Sequence, residues 1–350
     1  MPLAQAQGKA LLHRAALLAN HAAMSSSTPA TPASPARWGV VTTVKAECST
    51  ILDFVAHHLS LGAHRIHLFL DADNPEARAA LASRPRVQVR VCDADHWARW
   101  GERPEKHQAR QTRNATFAYR RRPGVDWLAH IDVDEFLWPE RPLAEQLGAL
   151  PPDVEVARTY PIEALAPVDD SAEGGLWFKS YARQQATRRR QTAEIYPEFG
   201  PHLNGGFLSH VAGKVFVRTQ IPKVNFRIHN AFLQGQQLDR EAALPETRLC
   251  HLHARDFAHF LEAYRYRLAR GSYRADLKPA PTPDGAGLNL NALFSLLEAE
   301  GGEAALRRFY AEVCEASPDL RARLAAHDHL HRIDLGLAAK RRRYFAAYAG

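Results

Sequence analysis

The sequence lacks any apolar run of the roughly 18–20 residues that a membrane-spanning helix needs. It also lacks a CxxC pair, because its four cysteines lie far apart. This spacing argues against a disulfide framework and a zinc knuckle, and it favours reduced thiols. We therefore expect a cytoplasmic chain, and we leave open a peripheral association with a membrane.

Common signatures of nucleotide and nucleic-acid binding are missing as well. The chain has no Walker A loop and no GxGxxG placed after a predicted strand. It has no RNP, zinc-finger or helix-turn-helix signature, so we expect no nucleic-acid partner. The net charge of +7, from 45 basic and 38 acidic residues, is a modest excess. Such an excess suits a phosphate-bearing substrate, an acidic lipid surface or nucleic acid without selecting among them.

The first 36 residues differ in composition from the rest of the chain. Residues 25–35 are rich in Ser, Thr, Pro and Ala, which is typical of a linker, and no continuous apolar core of a signal peptide precedes them. We predict a flexible N-terminal tail over residues 1–36. The alternatives are a true start at Met24 and a weak membrane-surface helix.

From Trp38 onward, apolar strand-like segments alternate with segments of helical periodicity. Thr50 is the expected N-cap of the first helix. This alternation predicts an α/β fold with a parallel, doubly wound sheet, which places ligands at the carboxyl ends of its strands. The predicted strands are residues 38–44, 65–70, 86–91 and 127–133. The polar residues that follow them are Lys45, Glu47, Asp71, Asp93, Asp95, Asp132 and Asp134.

After about residue 140 the pattern changes to shorter strands and then to long helices. Helices are predicted from near Asp256, and a later pair is split by Gly301 and Gly302. We predict one mixed α/β catalytic domain over residues 37–270 and a C-terminal helical extension over residues 271–350.

The most specific motif is residues 130–137 (HIDVDEFL), in which an apolar strand runs into Asp132 and Asp134. In an extended chain, residues i and i+2 share a face, so the two carboxylates would repel each other without a cation or donors between them. A divalent ion with a bound diphosphate would satisfy this arrangement. The alternative is a solvated strand end followed by a turn.

A second candidate group is His251 and His253, which alternate with apolar residues on a predicted strand. Both imidazoles would then point the same way, and imidazole is a common ligand of manganese-like ions. The alternative is a half-buried strand whose histidines make ordinary hydrogen bonds.

These segments together resemble family 2-like GT-A glycosyltransferases, and more narrowly the bacterial group related to glycosyltransferase family 92. The resemblance covers about residues 38–270, and Ala46 stands where that group has an asparagine. The matching segments are 44–47 (VKAE), 54–58 (FVAHH), 61–63 (LGA), 68–71 (LFLD), 131–137 (IDVDEFL), 213–218 (GKVFVR) and 251–255 (HLHAR).

The resemblance implies a GT-A fold with a Rossmann-like, mixed nucleotide-binding sheet that carries a D-x-D motif at Asp132 and Asp134. It also implies transfer of a sugar, with inversion, from a nucleotide sugar to a hydroxyl of a glycan or lipid-linked acceptor. Mn²⁺ or Mg²⁺ would be the cofactor and a UDP-sugar the donor, as in polysaccharide biosynthesis. Asp134 would bind the metal, and Asp132 would contact the metal, ribose or sugar. The other implied site residues are His251 or His253 at the metal, Lys45, Glu47 and Asp71 at the nucleotide, and Lys214 at the phosphates.

Three polar residues of a predicted helix over residues 104–121, His107, Gln111 and Asn114, share one face and could border the donor site. A solvated helix face is the alternative. An inverting transfer also needs a base for the acceptor hydroxyl. Four carboxylates are candidates, with Asp256 as the working assignment: Glu163, Glu194, Glu198 and Asp256.

Two other functions stay open. A metal-dependent phosphohydrolase or nucleotidyltransferase would need a second carboxylate cluster, for which Asp93 and Asp95 are candidates. A nucleotide-binding scaffold without turnover is the other. The basic runs 188–190 and 341–343 are interpreted as solvated surface, with contact to an acidic polymer or lipid-linked acceptor as the alternative.

Overall fold

The computed structural model describes residues 34–168, 174–270 and 288–348. The predicted N-terminal tail therefore lies outside the described residues except for 34–36, where the Ala36 amide donates to the Ala144 carbonyl at 2.8 Å. No helix of the described part is long and apolar enough to cross a membrane.

The first half of the chain alternates strands with helices, as the periodicity predicts. Its elements are β1 (Trp38–Val44), α1 (Cys48–Ser60), β2 (Arg65–Leu70), α2 (Pro75–Leu81), β3 (Val87–Val91), α3 (Ala94–Ala98), α4 (His107–Arg120) and β4 (Trp127–His130).

The second half begins with short strands and ends mostly in helices. Its strands are β5 (Glu135–Pro139), β6 (Val156–Ala164), β7 (Leu176–Lys179), β8 (Lys214–Arg218), β9 (Asn225–Phe226), β10 (Ala231–Leu233), β11 (Gln236–Gln237), β12 (Glu241–His251) and β13 (Leu330–Ile333). Its helices are α5 (Leu143–Gly148), α6 (Gln185–Ile195), α7 (Phe257–Arg270), α8 (Leu290–Val313), α9 (Pro318–Ala325) and α10 (Leu337–Tyr344).

Among the described residues, ten strands form one mixed sheet in the order β13-β7-β6-β8-β4-β1-β2-β3, with β12 pairing to β5 and β6. The neighbours of β1 and β2 are parallel, whereas β8 runs antiparallel to β4 and β6. The α/β class, the mixed sheet and the C-terminal helices expected from the sequence are confirmed. A purely parallel sheet is wrong, because β5, β7, β8 and β13 pair in antiparallel fashion.

Both faces of β1 are covered, which explains its unbroken apolar sequence. All seven of its residues are buried. Successive side chains point to opposite faces of a strand, so Val40 packs in the core cluster that contains α1 while Val41 packs in the one that contains α4. A third cluster joins α7, α8 and α9 to the segment around Phe199. The sheet edge at the carboxyl ends of β1, β2 and β4 stays open between these layers.

Two local predictions are wrong. Helix α1 begins at Cys48 and not after Thr50, because the Ile51 amide already donates to the Glu47 carbonyl. Strand β4 ends at His130, and a turn separates it from β5. The two helices expected on either side of Gly301 and Gly302 are confirmed, because Gly302 adopts a non-helical φ of 56° and ψ of −144° that divides α8.

The C-terminal segment packs against both halves of the chain. Strand β13 pairs with β7, and α10 lies on α1, where Arg341 donates to Asp53 at 2.8 Å. The domain division at residue 270 stays a prediction.

Candidate active site

A cavity of about 2040 Å³ opens at the carboxyl ends of the parallel strands. It extends from the loops after β1 and β2, past the turn between β4 and β5, to helices α6 and α7. Most of the candidate residues line it: Lys45, Glu47, Asp71, His107, Gln111, Asp132, Asp134, His251 and His253.

The turn between β4 and β5 holds Asp132 against a buried lysine. Lys214, the first residue of β8, is fully buried, and its Nζ lies 2.6 Å from Asp132 Oδ2 and 3.0 Å from Glu135 Oε2. Gln111 donates to the other oxygen of Asp132 at 2.5 Å, and Glu135 accepts from the Asp132 amide at 2.8 Å. Burial would lower the pKa of Lys214, but the two carboxylates raise it. Lys214 therefore supplies a fixed positive charge beside Asp132.

Asp134, His251 and His253 converge on one point. Their ligand atoms all lie within 4.8 Å of one another, and theirs is the one group of three or more such side chains found in the described part of the chain. Asp134 Oδ2 is 3.2 Å from His251 Nε2, and the two imidazole rings have centroids 5.0 Å apart. One carboxylate with two imidazoles is a donor set that suits a manganese-like ion.

Strand pairing brings these three residues together. Strand β12 runs antiparallel to β5 with His251 opposite Glu135, and the Leu252 amide donates to the Asp134 carbonyl at 2.9 Å. Burial would lower the pKa of His251, but the Asp134 carboxylate beside it raises it to about 9. Asp132 does not belong to this group, because its carboxylate is engaged by Lys214 and Gln111.

A second charged group lies at the carboxyl end of β2. Asp71 is buried and accepts from Arg110 Nε at 2.9 Å, with Arg103 Nη2 at 3.1 Å. Arg110 also donates to the carbonyls of Pro104 and Glu105, which holds the loop before α4 in place. The Asp71 carboxylate thus reaches the cavity already paired with two guanidinium groups.

Sequence reasoning missed several residues here. Arg110 and Glu135 line the cavity, and so do His210 and His229, whose rings meet edge to face with centroids 3.6 Å apart. Burial lowers the pKa of His229 to about 4, so its ring is neutral at pH 7. Glu135 had one available signal, its place directly after the D-x-D pair, whereas Arg110 is not distinguished by pattern from the other arginines of α4.

Asn114 is corrected from a cavity residue to a structural one. It is fully buried and does not line the cavity. Its Nδ2 donates to Thr43 Oγ1 at 3.0 Å, and its Oδ1 lies 2.8 Å from His96 Nε2. Asn114 therefore fixes α4 to β1. The solvated-face alternative is also wrong for this helix, since Gln111 is buried too.

Asp256 is likewise corrected. Its Oδ1 accepts from the His259 amide at 2.7 Å at the start of α7, which is the role of a helix cap. Glu163 is buried beneath the cavity wall, where it accepts from the Ser209 amide at 2.9 Å. None of the four base candidates is among the residues that line the cavity: Glu163, Glu194, Glu198 and Asp256.

The carboxylates proposed for a second metal lie elsewhere. Asp93 and Asp95 line a separate, smaller pocket with Arg90 and Arg99. Asp93 accepts from the His96 amide at 2.8 Å and so caps α3. Within the described part of the chain, Asp93 and Asp95 therefore lie apart from the group of Asp134, His251 and His253.

The two basic runs have different locations. Residues 188–190 lie on α6 and line the cavity, whereas residues 341–343 lie on α10 and do not. Residues 188–190 are therefore more than solvated surface, because they also line the cavity.

No model of a known protein family matches this chain, and no curated protein matches it. Solved structures are similar at low levels. A mannosyltransferase from Pyrobaculum calidifontis, solved with GDP-Man and Mn²⁺, is 12% identical over 91% of this chain and 86% of its own, with a TM-score of 0.36. GalNAc-T7, solved with UDP, GalNAc and Mn²⁺, is 11% identical over 84% of this chain and 57% of its own, with a TM-score of 0.35.

A mycobacterial protein is 16% identical over 53% of this chain, with a TM-score of 0.29, and the match spans 54% of that protein's length. All three TM-scores lie below 0.5. The function of this chain is therefore inferred from its own side chains.

Proposed function

We propose that this protein is a metal-dependent glycosyltransferase of the GT-A type, which moves a sugar from a nucleotide diphosphate sugar to an acceptor hydroxyl. One observation carries the proposal. Asp134, His251 and His253 meet beside the Asp132–Lys214 pair, in one cavity with the charged residues that follow β1 and β2. In open α/β sheets, ligands bind at this edge.

The residues divide into two roles at this edge. Lys45, Glu47 and Asp71 face the part of the cavity next to β1 and β2, where we place the nucleoside. Asp134, His251 and His253 would hold Mn²⁺ or Mg²⁺. A divalent cation there would stabilise the negative charge of the departing diphosphate.

Lys214 has a separate role from the metal ligands. Its ammonium group contacts both Asp132 and Glu135 and so links the turn that presents Asp134 to β8. Asp132 remains about one-third exposed, and its Oδ1 is oriented by Gln111. We assign it to the ribose or sugar hydroxyls, because a carboxylate accepts such donors well.

Transfer with inversion also needs a group that takes the acceptor proton. Glu262 is the one carboxylate among the described lining residues of α6 and α7. The other lining carboxylates lie in α1, in the loops after β1, β2 and β4, or at the start of β5: Glu47, Asp53, Asp71, Asp132, Asp134 and Glu135. We assign the base to Glu262, which replaces Asp256.

The test is a thermal-shift screen of the purified full chain with UDP, GDP, CMP and dTDP, each with Mn²⁺, Mg²⁺ or EDTA. A ligand present at about 100 times its Kd stabilises the folded state by about 2.7 kcal/mol. Asp134→Ala should abolish the metal-dependent shift. Asp95→Ala is the matched control, because Asp95 is exposed in the separate pocket.

Absence of any nucleotide shift in a well-folded sample would overturn the proposal. Nucleotide binding without release of free sugar or transfer to any acceptor would instead support the scaffold function. Turnover of simple phosphate esters in the absence of an acceptor would support the phosphohydrolase.

A further inference from the structure

The charges that line the cavity are separated along it. The carboxylates cluster where β1, β2 and β4 end. Arg188, Arg189 and Arg190 lie instead on α6, the helix that follows β7, and β6, β8 and β4 separate β7 from β1 in the sheet. The arginines therefore face the part of the cavity away from the proposed nucleoside position.

Arg188 is held in place without an ion pair to any described residue. Its guanidinium carbon lies 5.4 Å from the centroid of the Tyr181 ring, and the Tyr181 hydroxyl donates to the Val211 carbonyl at 2.5 Å. Gly205 allows the close approach, since a Cβ there would lie 3.2 Å from Arg188 Cδ, and its φ is +73°. Within the described part of the chain, the Arg188 guanidinium has no carboxylate partner.

The neighbouring charges reinforce this excess. Arg255, in the loop between β12 and α7, lines the cavity, is exposed and has no ion pair among the described residues. Arg190 lies 3.8 Å from Glu194, but both side chains are largely exposed, and such a pair is weak. The single negative charge of Glu262 does not balance the arginines in this part of the cavity. A fixed, unpaired guanidinium group in a cleft is suited to bind an oxyanion.

We propose that the acceptor carries a phosphate group, which Arg188 and Arg255 bind while the acceptor hydroxyl faces the metal group. This inference rests on the proposed function, since it names the second substrate of the same site. The phosphate could belong to a soluble phosphorylated sugar or to a lipid-linked phosphate. The guanidinium fork recognises the same chemical group in both.

The experiment uses the full chain with Mn²⁺ and has two arms. In the soluble arm, glucose 6-phosphate, glucose and glucuronate are titrated by calorimetry, with and without the nucleotide that the screen identifies. In the membrane arm, flotation is measured with phosphatidylcholine vesicles that contain either a polyprenyl phosphate or an equal charge of phosphatidylserine. Arg188→Gln is the test variant. Arg183→Gln is the matched control, because Arg183 stacks on Tyr160 outside the cavity lining.

We expect the phosphate probe of one arm to bind, with Arg188→Gln weakening it about tenfold or more, as loss of a charge-assisted contact should. Arg183→Gln should bind as the unchanged protein does, and nucleotide affinity should be equal in all three. The arm in which the phosphate probe binds shows whether the phosphate belongs to a soluble sugar or to a lipid.

Three results would overturn the proposal. The first is that neither phosphate probe binds. The second is that glucuronate or phosphatidylserine binds as tightly as the phosphate probes. The third is that Arg188→Gln weakens binding of the nucleotide and not of the phosphate probe. Retained nucleotide binding with no Arg188-dependent probe binding removes only this inference. Retained probe binding with no nucleotide binding removes the transferase and leaves an anion site.

Discussion

The Nζ of Lys214 lies 2.6 Å from Oδ2 of Asp132, although 82 positions separate the two residues in the chain. Asp132 belongs to the D-x-D turn after β4, and Lys214 begins β8, the antiparallel neighbour of β4. Because Lys214 is fully buried and Glu135 nearly so, the lysine neutralises charge that water does not reach. The first carboxylate of the D-x-D pair is therefore paired with a lysine, and the second, Asp134, lies with His251 and His253 in the group proposed to hold a metal ion.

Removing this lysine should destabilise the fold. Lys214→Met leaves the buried Glu135 carboxylate without its cation, and breaking one partner of a buried ion pair typically costs about 3–5 kcal/mol. We expect a loss of that order in the free energy of unfolding, measured by urea denaturation. Lys106→Met, at an exposed lysine, is the control and should change little. An equal effect of both variants would contradict the assigned role.

The two aspartates of the D-x-D pair should differ in their effect on metal binding. Asp134→Asn and His251→Ala remove proposed ligands, so each should weaken Mn²⁺ binding by more than the roughly 10–100-fold typical of residues that only orient a ligand. Asp132→Asn should weaken Mn²⁺ binding much less, because Asp132 does not join the ligand group. Calorimetric titration with Mn²⁺ measures this. A larger effect at Asp132 than at Asp134 would show that the metal site is assigned wrongly.

The two arginines at Asp71 should also be unequal. Arg110 is largely buried, whereas the Arg103 side chain is 48% exposed. We expect Arg110→Gln to lower stability by several times the effect of Arg103→Gln, which should stay within the roughly 0–1 kcal/mol of an exposed pair. Urea denaturation of both variants tests this order. Equal losses would mean that burial does not determine the strength of these contacts.

Catalysis should depend on Glu262 without a change in donor binding. Glu262→Gln keeps the size of the side chain but cannot take a proton, and general-base catalysis typically contributes about 10²–10⁴-fold. We expect kcat for sugar transfer to fall in that range while the nucleotide Kd is unchanged. Asp256→Asn should lose little kcat, since Asp256 caps α7. The opposite order would return the base to Asp256.

Acid should destabilise the protein through its buried histidines. Burial lowers the pKa of both His57 and His67 to about 4. Because these folded pKa values lie below the unfolded value of about 6.5, the unfolded chain binds protons first as the pH falls. Stability should therefore be full above about pH 6.5 and be lost down to the folded pKa, by about 1.4 kcal/mol per pH unit for each such group.

Urea denaturation at several pH values between 7 and 5 measures this slope. His67→Gln should reduce it, because the substituted side chain does not titrate. A stability that is independent of pH over this interval would show that these histidines are not held neutral in the folded state.

Much of the fold could be predicted because strand and helix patterns are local. The bounds of β1 and β2 match the prediction, since each is a short apolar segment that the sheet buries. The predicted end of β4 is too late because Ile131 and Val133 continue the apolar pattern while the backbone has already entered a turn. Periodicity reports which side chains are apolar and does not report where the chain changes direction.

The sequence by itself determined the α/β class, the position of the D-x-D pair at a strand end and the proximity of His251 to His253, because all three depend on neighbours in the chain. Only the tertiary structure decided which polar groups meet. The order of strands brings Lys214 to Asp132, and α6 brings Arg188 into the cavity. Packing of α4 turns Asn114 inward to Thr43. These partners come from distant segments whose approach is set by burial of the apolar core, and no local pattern encodes that approach.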